Sequence, residues 1–142
     1  MAGISDLYNQ VLKDHRNYPR NKGLIDGYKT LKVKNPSCGD DITVEVEVEN
    51  NKIKHLHHDG TGCSICCSSA SVMSEVLTGK DVDEAKRIIN DYCNMIKGEE
   101  IEDEYALEEA LVYQGVAAFP ARMKCATIAW KAVEEILGEE DE

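Results

Sequence analysis

Three cysteines and one aspartate are the groups in this chain best suited to do chemistry. Cys38 lies in Asn35-Pro36-Ser37-Cys38-Gly39-Asp40, Cys63 follows Gly60-Thr61-Gly62, and Cys125 comes shortly after Pro120. Each sits where the local pattern changes: a turn between two alternating segments, the junction of a strand with a long helix, and the first turns of the last helix. Backbone N–H groups at such places favour a thiolate, and the thiolate is the form that binds a metal. One glycine separates Asp40 from Cys38. An extended turn would aim both side chains the same way, and Gly39 permits a tight backbone around an ion. Three thiolates and a carboxylate form a tetrahedral set compatible with Zn²⁺. The carboxylate is the harder ligand and the one expected to yield to an incoming group, which suggests a working site over a purely structural one. Spacing alone leaves a second reading open. With 24 residues between Cys38 and Cys63 and 61 between Cys63 and Cys125, no zinc-finger pattern is present, and buried inert cysteines fit equally well.

Other thiols and imidazoles compete for attention. Cys66 and Cys67 stand three and four residues beyond Cys63, so on a helix either can turn toward the same ion. Cys63 and Cys66 also form a Cys-x-x-Cys pair of the kind used in redox chemistry. The plainer reading is small buried residues on a helix beside Ser68, Ser69, Ala70 and Ser71. Cys93, flanked by Tyr92 and close to Met95, reads as core packing. In His55-Leu56-His57-His58-Asp59 a strand puts His55 and His57 on one face and His58 with Leu56 on the other, so surface or satisfied-core roles are expected in place of metal binding.

The elements that must position these groups follow from periodicity. Ile4, Leu7, Tyr8, Val11 and Leu12 form one stripe over residues 4–16, predicting an amphipathic helix. The stretch from Asn17 to Gly27 is rich in Gly, Pro and Asn and reads as loop. The period then becomes two over 30–34, 42–49 and 52–59, with Asn50-Asn51 as a hairpin turn. This predicts a three-stranded antiparallel sheet, apolar on one face and polar on the other. Helices are expected near 64–78, 82–96, 105–114 and 121–137, with Gly79 and Gly98 as stops and Asp81 as an N-cap. In the last helix Ile128, Ala129, Ala132, Val133, Ile136 and Leu137 make the buried stripe. Strands followed by helices indicate an α+β fold, its helices packed on one face of the sheet.

Bulk composition narrows the function classes. At 142 residues, 42% apolar and 30% charged, the chain suits one soluble domain spanning 1–142 that does not need a metal in order to fold. Sixteen basic and 27 acidic residues give a net charge of −11. Such a surface repels phosphate backbones, so no nucleic-acid partner is expected. The run Gly138-Glu139-Glu140-Asp141-Glu142 reads as a solvated end. No apolar run reaches the roughly 18–20 residues that span a bilayer, and the N-terminus lacks the apolar core of a signal peptide. A cytoplasmic location, no membrane association, and reduced or metal-bound cysteines are therefore expected.

Three segments in this order, Asn35-Pro36-Ser37-Cys38-Gly39-Asp40, Gly60-Thr61-Gly62-Cys63-Ser64-Ile65 and Phe119-Pro120-Ala121-Arg122-Met123-Lys124-Cys125, resemble the IscU/SufU (NifU N-terminal-like) family of iron–sulfur cluster assembly proteins. The resemblance runs from the first helix to Ala129-Trp130. Within it the SufU branch is favoured: IscU proteins have a histidine just before the third motif cysteine, where this chain has Lys124, and the segment before Cys125 is longer. The resemblance implies Zn²⁺ held by Cys38, Asp40, Cys63 and Cys125. It also implies a SufS-type cysteine desulfurase as partner, with other cluster-assembly proteins as further candidates, and Cys38 as acceptor of persulfide sulfur, a sulfurtransferase role. It further implies that a desulfurase histidine replaces Cys38 on the metal, freeing the thiolate for exchange. Arg122 and Lys124 flank the site as candidates to favour anionic sulfur, with helix-end or surface roles as the alternative. Two other functions stay open: a scaffold that builds a [2Fe–2S] cluster, since thiolates also suit iron, and a structural zinc protein that binds partners. Cys66 and Cys67 depart from the family pattern and leave open which thiols hold the metal.

Overall fold

In the computed structural model, which describes residues 4–25 and 27–140, the chain runs α1 (Ile4–Asn17), β1 (Lys29–Asn35), β2 (Asp40–Glu49), β3 (Lys52–Thr61), α2 (Ser64–Leu77), α3 (Val82–Ile96), two 3₁₀ segments (Tyr105–Ala118 and Pro120–Arg122) and α4 (Met123–Glu140). The strands form one antiparallel sheet in the order β1-β2-β3, as the alternation predicts. Asn50 and Asn51, both at positive φ, make the β2–β3 turn. Asn is among the few residues that tolerate that region.

The sheet buries Ile42, Val44, Val46, Ile53 and Leu56 in one core with α2, α3 and α4. Ala129, Ala132, Val133, Ile136 and Leu137 of α4 are buried, and Ile128 is partly buried against the core. The second sheet face is less polar than predicted. Glu45 is fully buried because the loop before β1 folds over it, and its carboxylate accepts the Ile25 N–H at 2.7 Å. The same loop covers the outer edge of β3, with Gly23 N–H donating to His58 O and His58 N–H to Asn21 O, which removes an open strand edge. Asp26 lies outside the described residues, as do Asp141 and Glu142 and the side chains of Ile4, Glu139 and Glu140.

Helix α2 crosses the centre of the molecule, which explains its run of serines. Ser69 is buried; its hydroxyl donates to Ala126 O at 2.7 Å and accepts the Trp130 Nε1–H at 2.9 Å. Ser68 accepts the Tyr113 hydroxyl at 2.7 Å. A buried hydroxyl is costly only when unpaired, so small serines let α4 and the long 3₁₀ segment approach α2 closely while tying them to it. Trp130 stacks on Tyr92, centroids 3.8 Å apart, and the Tyr92 hydroxyl donates to Ala126 O. The residue after Cys125 is thereby held from two sides.

Two local expectations need correction. Residues 105–118 form 3₁₀ turns, not an α-helix over 105–114, and they are interrupted at Glu108 (φ 50°, ψ −129°). Leu107, Ala110, Val112, Tyr113 and Val116 are buried, and of these Leu107, Ala110, Tyr113 and Val116, at most 2% exposed, form the most deeply buried row. Their spacing of three matches the three residues per turn of a 3₁₀-helix better than an α-helical 3.6. Asp81 occupies the N-cap position of α3, yet its side chain makes no capping hydrogen bond.

Candidate metal and sulfur site

The β1–β2 connection is a tight turn closed by Cys38 N–H to Asn35 O and Gly39 N–H to Pro36 O. It is not the extended passage that would aim Cys38 and Asp40 the same way. Gly39 takes φ +70°, and this reversal puts Cys38 on the turn and Asp40 on the first residue of β2. Cys63 is the N-cap of α2, in extended conformation, at the end of the neighbouring strand. Cys125 lies in the first turn of α4. Three chain segments distant in sequence thus meet at one end of the sheet.

One donor atom each from Cys38, Asp40 and Cys125 lies within 4.8 Å of the other two. Cys63 flanks this trio: its N–H donates to Asp40 Oδ1 at 2.9 Å, while its sulfur falls outside the 4.8 Å set. Asp40 is 2% exposed. Its other oxygen accepts the Asn35 Nδ2–H at 3.1 Å, and the same amide nitrogen lies 3.6 Å from Cys125 Sγ. Asn35 belongs to the first motif but carried no expected role. Buried to 3% exposure at the end of a strand, its amide requires polar partners, a need that the fold reveals and the sequence does not.

Gly62 makes room for the carboxylate. A Cβ there would stand 2.7 Å from Asp40 Oδ1 and 3.3 Å from Asp40 Cα, so the glycine before Cys63 is a packing requirement of the site.

Electrostatics show what the cluster lacks. The Cys125 thiol, expected to favour the thiolate at a helix N-terminus, is instead pushed up, first by burial and then by hydrogen bonding with Cys38, Asp40 and Cys63. Burial also pushes Cys66 up, followed by the charges of Asp40, Cys67 and Cys63. Crowding anionic donors in a desolvated corner is unfavourable unless protons or a cation compensate. Three thiols and a carboxylate are the donor types that a divalent zinc ion accepts, so the residues present fit such an ion. On the rim, Arg122 Nη1 donates to Cys38 Sγ at 3.5 Å. The guanidinium pKa is raised further by Cys125, and then by Cys38 and Cys63. Lys124 takes another direction and lines a groove with Val33, Lys34 and Thr127.

The remaining candidates stay outside the 4.8 Å set. Cys66 is buried in the core beneath it, where Asp40 acts on its thiol. The Cys67 sulfhydryl points to Gly62 O at 3.7 Å. Cys93 is half-buried, and burial pushes its thiol up to about 11. His55 and His57 lie on one face with rings 5.9 Å apart; His58 is buried, its Nε2 2.8 Å from Arg20 O. All six cysteines are free thiols.

Comparison with known proteins adds four likenesses. Residues 7–126 match the NifU-like N-terminal domain family. A Bacillus subtilis protein named zinc-dependent sulfurtransferase SufU is 37% identical over 140 residues, covering 99% of this chain and 95% of that one. A Streptococcus pyogenes protein named iron–sulfur cluster assembly scaffold protein IscU is 35% identical over 96% of this chain and 86% of its own. Among solved structures, a putative SUF-system scaffold, FiSufU from Fervidobacterium islandicum, superimposes with a TM-score of 0.83 at 31% identity, over 95% of this chain and 99% of that one. No helix among the described residues is long and apolar enough to cross a membrane.

Proposed function

The chain belongs to the NifU-like N-terminal domain (IscU/SufU) family of iron–sulfur cluster assembly proteins, and from that premise we propose that it is a zinc-dependent sulfur acceptor. It takes persulfide sulfur from a SufS-type cysteine desulfurase, with Cys38 as the accepting thiol and Cys38, Asp40, Cys63 and Cys125 as the metal ligands. One observation carries the reading: Cys38, the exposed-side member of the Cys38–Asp40–Cys125 trio, is also the thiol that faces Arg122.

Bound zinc would supply positive charge that keeps the clustered donors deprotonated. The chain's own residues do the rest. Asn35 and the Cys63 amide fix both oxygens of Asp40, leaving its outer lone pairs for the ion. Cys38 sits on a turn, partly exposed, where a partner's loop can reach it. When its thiolate attacks the outer sulfur of a donor persulfide, a new S–S bond forms on Cys38 as the donor's S–S bond breaks. The donor cysteine leaves as a thiolate, so no net oxidation occurs. Arg122 stands where the transferred, negatively charged sulfur would lie. Six free thiols accord with work in a reducing cytoplasm.

The test joins metal analysis to a desulfurase assay. The wild type is expected to hold about one zinc per chain and to raise desulfurase turnover strongly, while Cys38→Ala abolishes the stimulation. Absence of stimulation by a zinc-loaded wild type of any desulfurase from the same organism refutes the reading. The S. pyogenes relative's name keeps the scaffold role as the second reading; quantitative transfer of a reconstituted [2Fe–2S] cluster to an apo-acceptor would promote it.

A further inference from the structure

The geometry points to a second metal site, built from His15, Glu75 and Glu109, that takes a hard or borderline divalent cation such as Mn²⁺ through one nitrogen and two oxygens. One ligand atom from each of these residues lies within 4.8 Å of the other two. The three come from different elements: α1, α2 and the long 3₁₀ segment.

The imidazole is the organising group. His15 has no exposed surface. Its Nδ1 lies 2.7 Å from Ser71 Oγ, and the same oxygen accepts the Arg20 backbone N–H at 2.7 Å. Nε2 lies 3.3 Å from Glu109 Oε1, to which it donates without an ion, and 3.7 Å from Glu75 Oε1; a bound cation would take the place of that proton, with Nδ1–H donating to Ser71. A histidine oriented through its far nitrogen by an outer hydrogen bond is the usual arrangement of a ligating imidazole. Both carboxylates are about half exposed, at 44% and 49%, which leaves an entry path and room for water ligands. Arg20 places Nε 3.7 Å from Glu75, but its other nitrogens are committed to Asp14 at 2.7 Å and to Tyr18 O at 2.9 Å. It offsets one of the two negative charges without being drawn into the space between the three ligands. One nitrogen and two carboxylate oxygens select against soft, thiophilic ions and for Mn²⁺ or Fe²⁺, whereas the thiol-rich centre favours zinc. An ion here would staple α1 to α2 and to the 3₁₀ segment.

The test uses Mn²⁺ and the wild-type chain, since thiolates bind this ion poorly, and its result does not depend on the sulfur-transfer reading. Electron paramagnetic resonance follows loss of the free-ion signal as protein is added, alongside thermal melting with and without Mn²⁺. The expected result is saturable uptake by the wild type with a raised melting temperature, weakened at least about tenfold by Glu75→Gln or Glu109→Gln. Both variants sit at half-exposed positions and keep neutral hydrogen-bonding groups, so circular dichroism should show the native fold. No uptake by the wild type at millimolar Mn²⁺, or uptake unchanged in both variants, overturns the site and leaves a plain ion-pair cluster around His15.

Discussion

Replacing Gly62 with alanine tests the architecture of the thiol centre without touching any proposed ligand. The new methyl would lie 2.7 Å from Asp40 Oδ1, so the oxygen must retreat by about 0.7 Å to reach ordinary contact at 3.4 Å. Asp40 has little room to do so, being 2% exposed and held on its other oxygen by Asn35. The retreat stretches the 2.9 Å bond from Cys63 N–H beyond the range of a useful hydrogen bond. A hydrogen bond to a charged group contributes about 1.5–3 kcal/mol, which corresponds to about a 10- to 150-fold change in an equilibrium constant. Two assays separate the consequences: thermal melting of the metal-free protein, and competition for zinc with a chromophoric chelator. The variant is expected to melt earlier and to bind zinc more weakly within that range. A lower melting temperature with unchanged zinc affinity would refute Asp40 as a ligand. No change in either would refute the packing contact itself.

Further outcomes can be stated. Cys67→Ala is expected to retain zinc and desulfurase stimulation, because the Cys67 sulfhydryl faces Gly62 O; loss of zinc by elemental analysis would place this thiol among the ligands. Trp130→Ala removes a fully buried ring stacked on Tyr92 and should cost about 3–5 kcal/mol in urea unfolding. Burial lowers the pKa of His58 in the folded protein, with Arg20 O opposing as a hydrogen-bond partner. The unfolded chain takes up this proton near pH 6.5 while the folded chain resists it. The His58 contribution is therefore intact above about pH 6.5 and is lost as pH falls below that value. His58→Gln should flatten this part of the stability–pH curve, and an unchanged curve would count against the assignment.

Much of the fold was legible because each element buries one face. Alternation fixed the three strands and the Asn50-Asn51 turn, and the helix over 82–96 was bounded by the same residues in sequence and structure. Where two periods compete, as over 105–118, a few apolar residues fit either a spacing of three or 3.6, and packing of Leu107, Ala110, Tyr113 and Val116 into the core chose the tighter coil. The buried face of Glu45 was hidden for a similar reason, since its cover comes from the loop at Ile25 and not from its own strand.

The chain by itself determined the chemistry available: three motif cysteines and an aspartate, each placed by local signals at a turn or a helix start, in the order that marks the family. Tertiary structure decided which of those groups share a space. It drew Cys38, Asp40 and Cys125 within 4.8 Å of one another, set Cys63 beside them through its backbone N–H, turned Arg122 toward Cys38 and Lys124 away, and sent Cys66 into the core. It also joined His15 to Glu75 and Glu109, which no spacing could reveal. Ligand types follow from side-chain chemistry, which is local, whereas ångström-scale convergence of residues up to 94 positions apart depends on how the helices pack on the sheet.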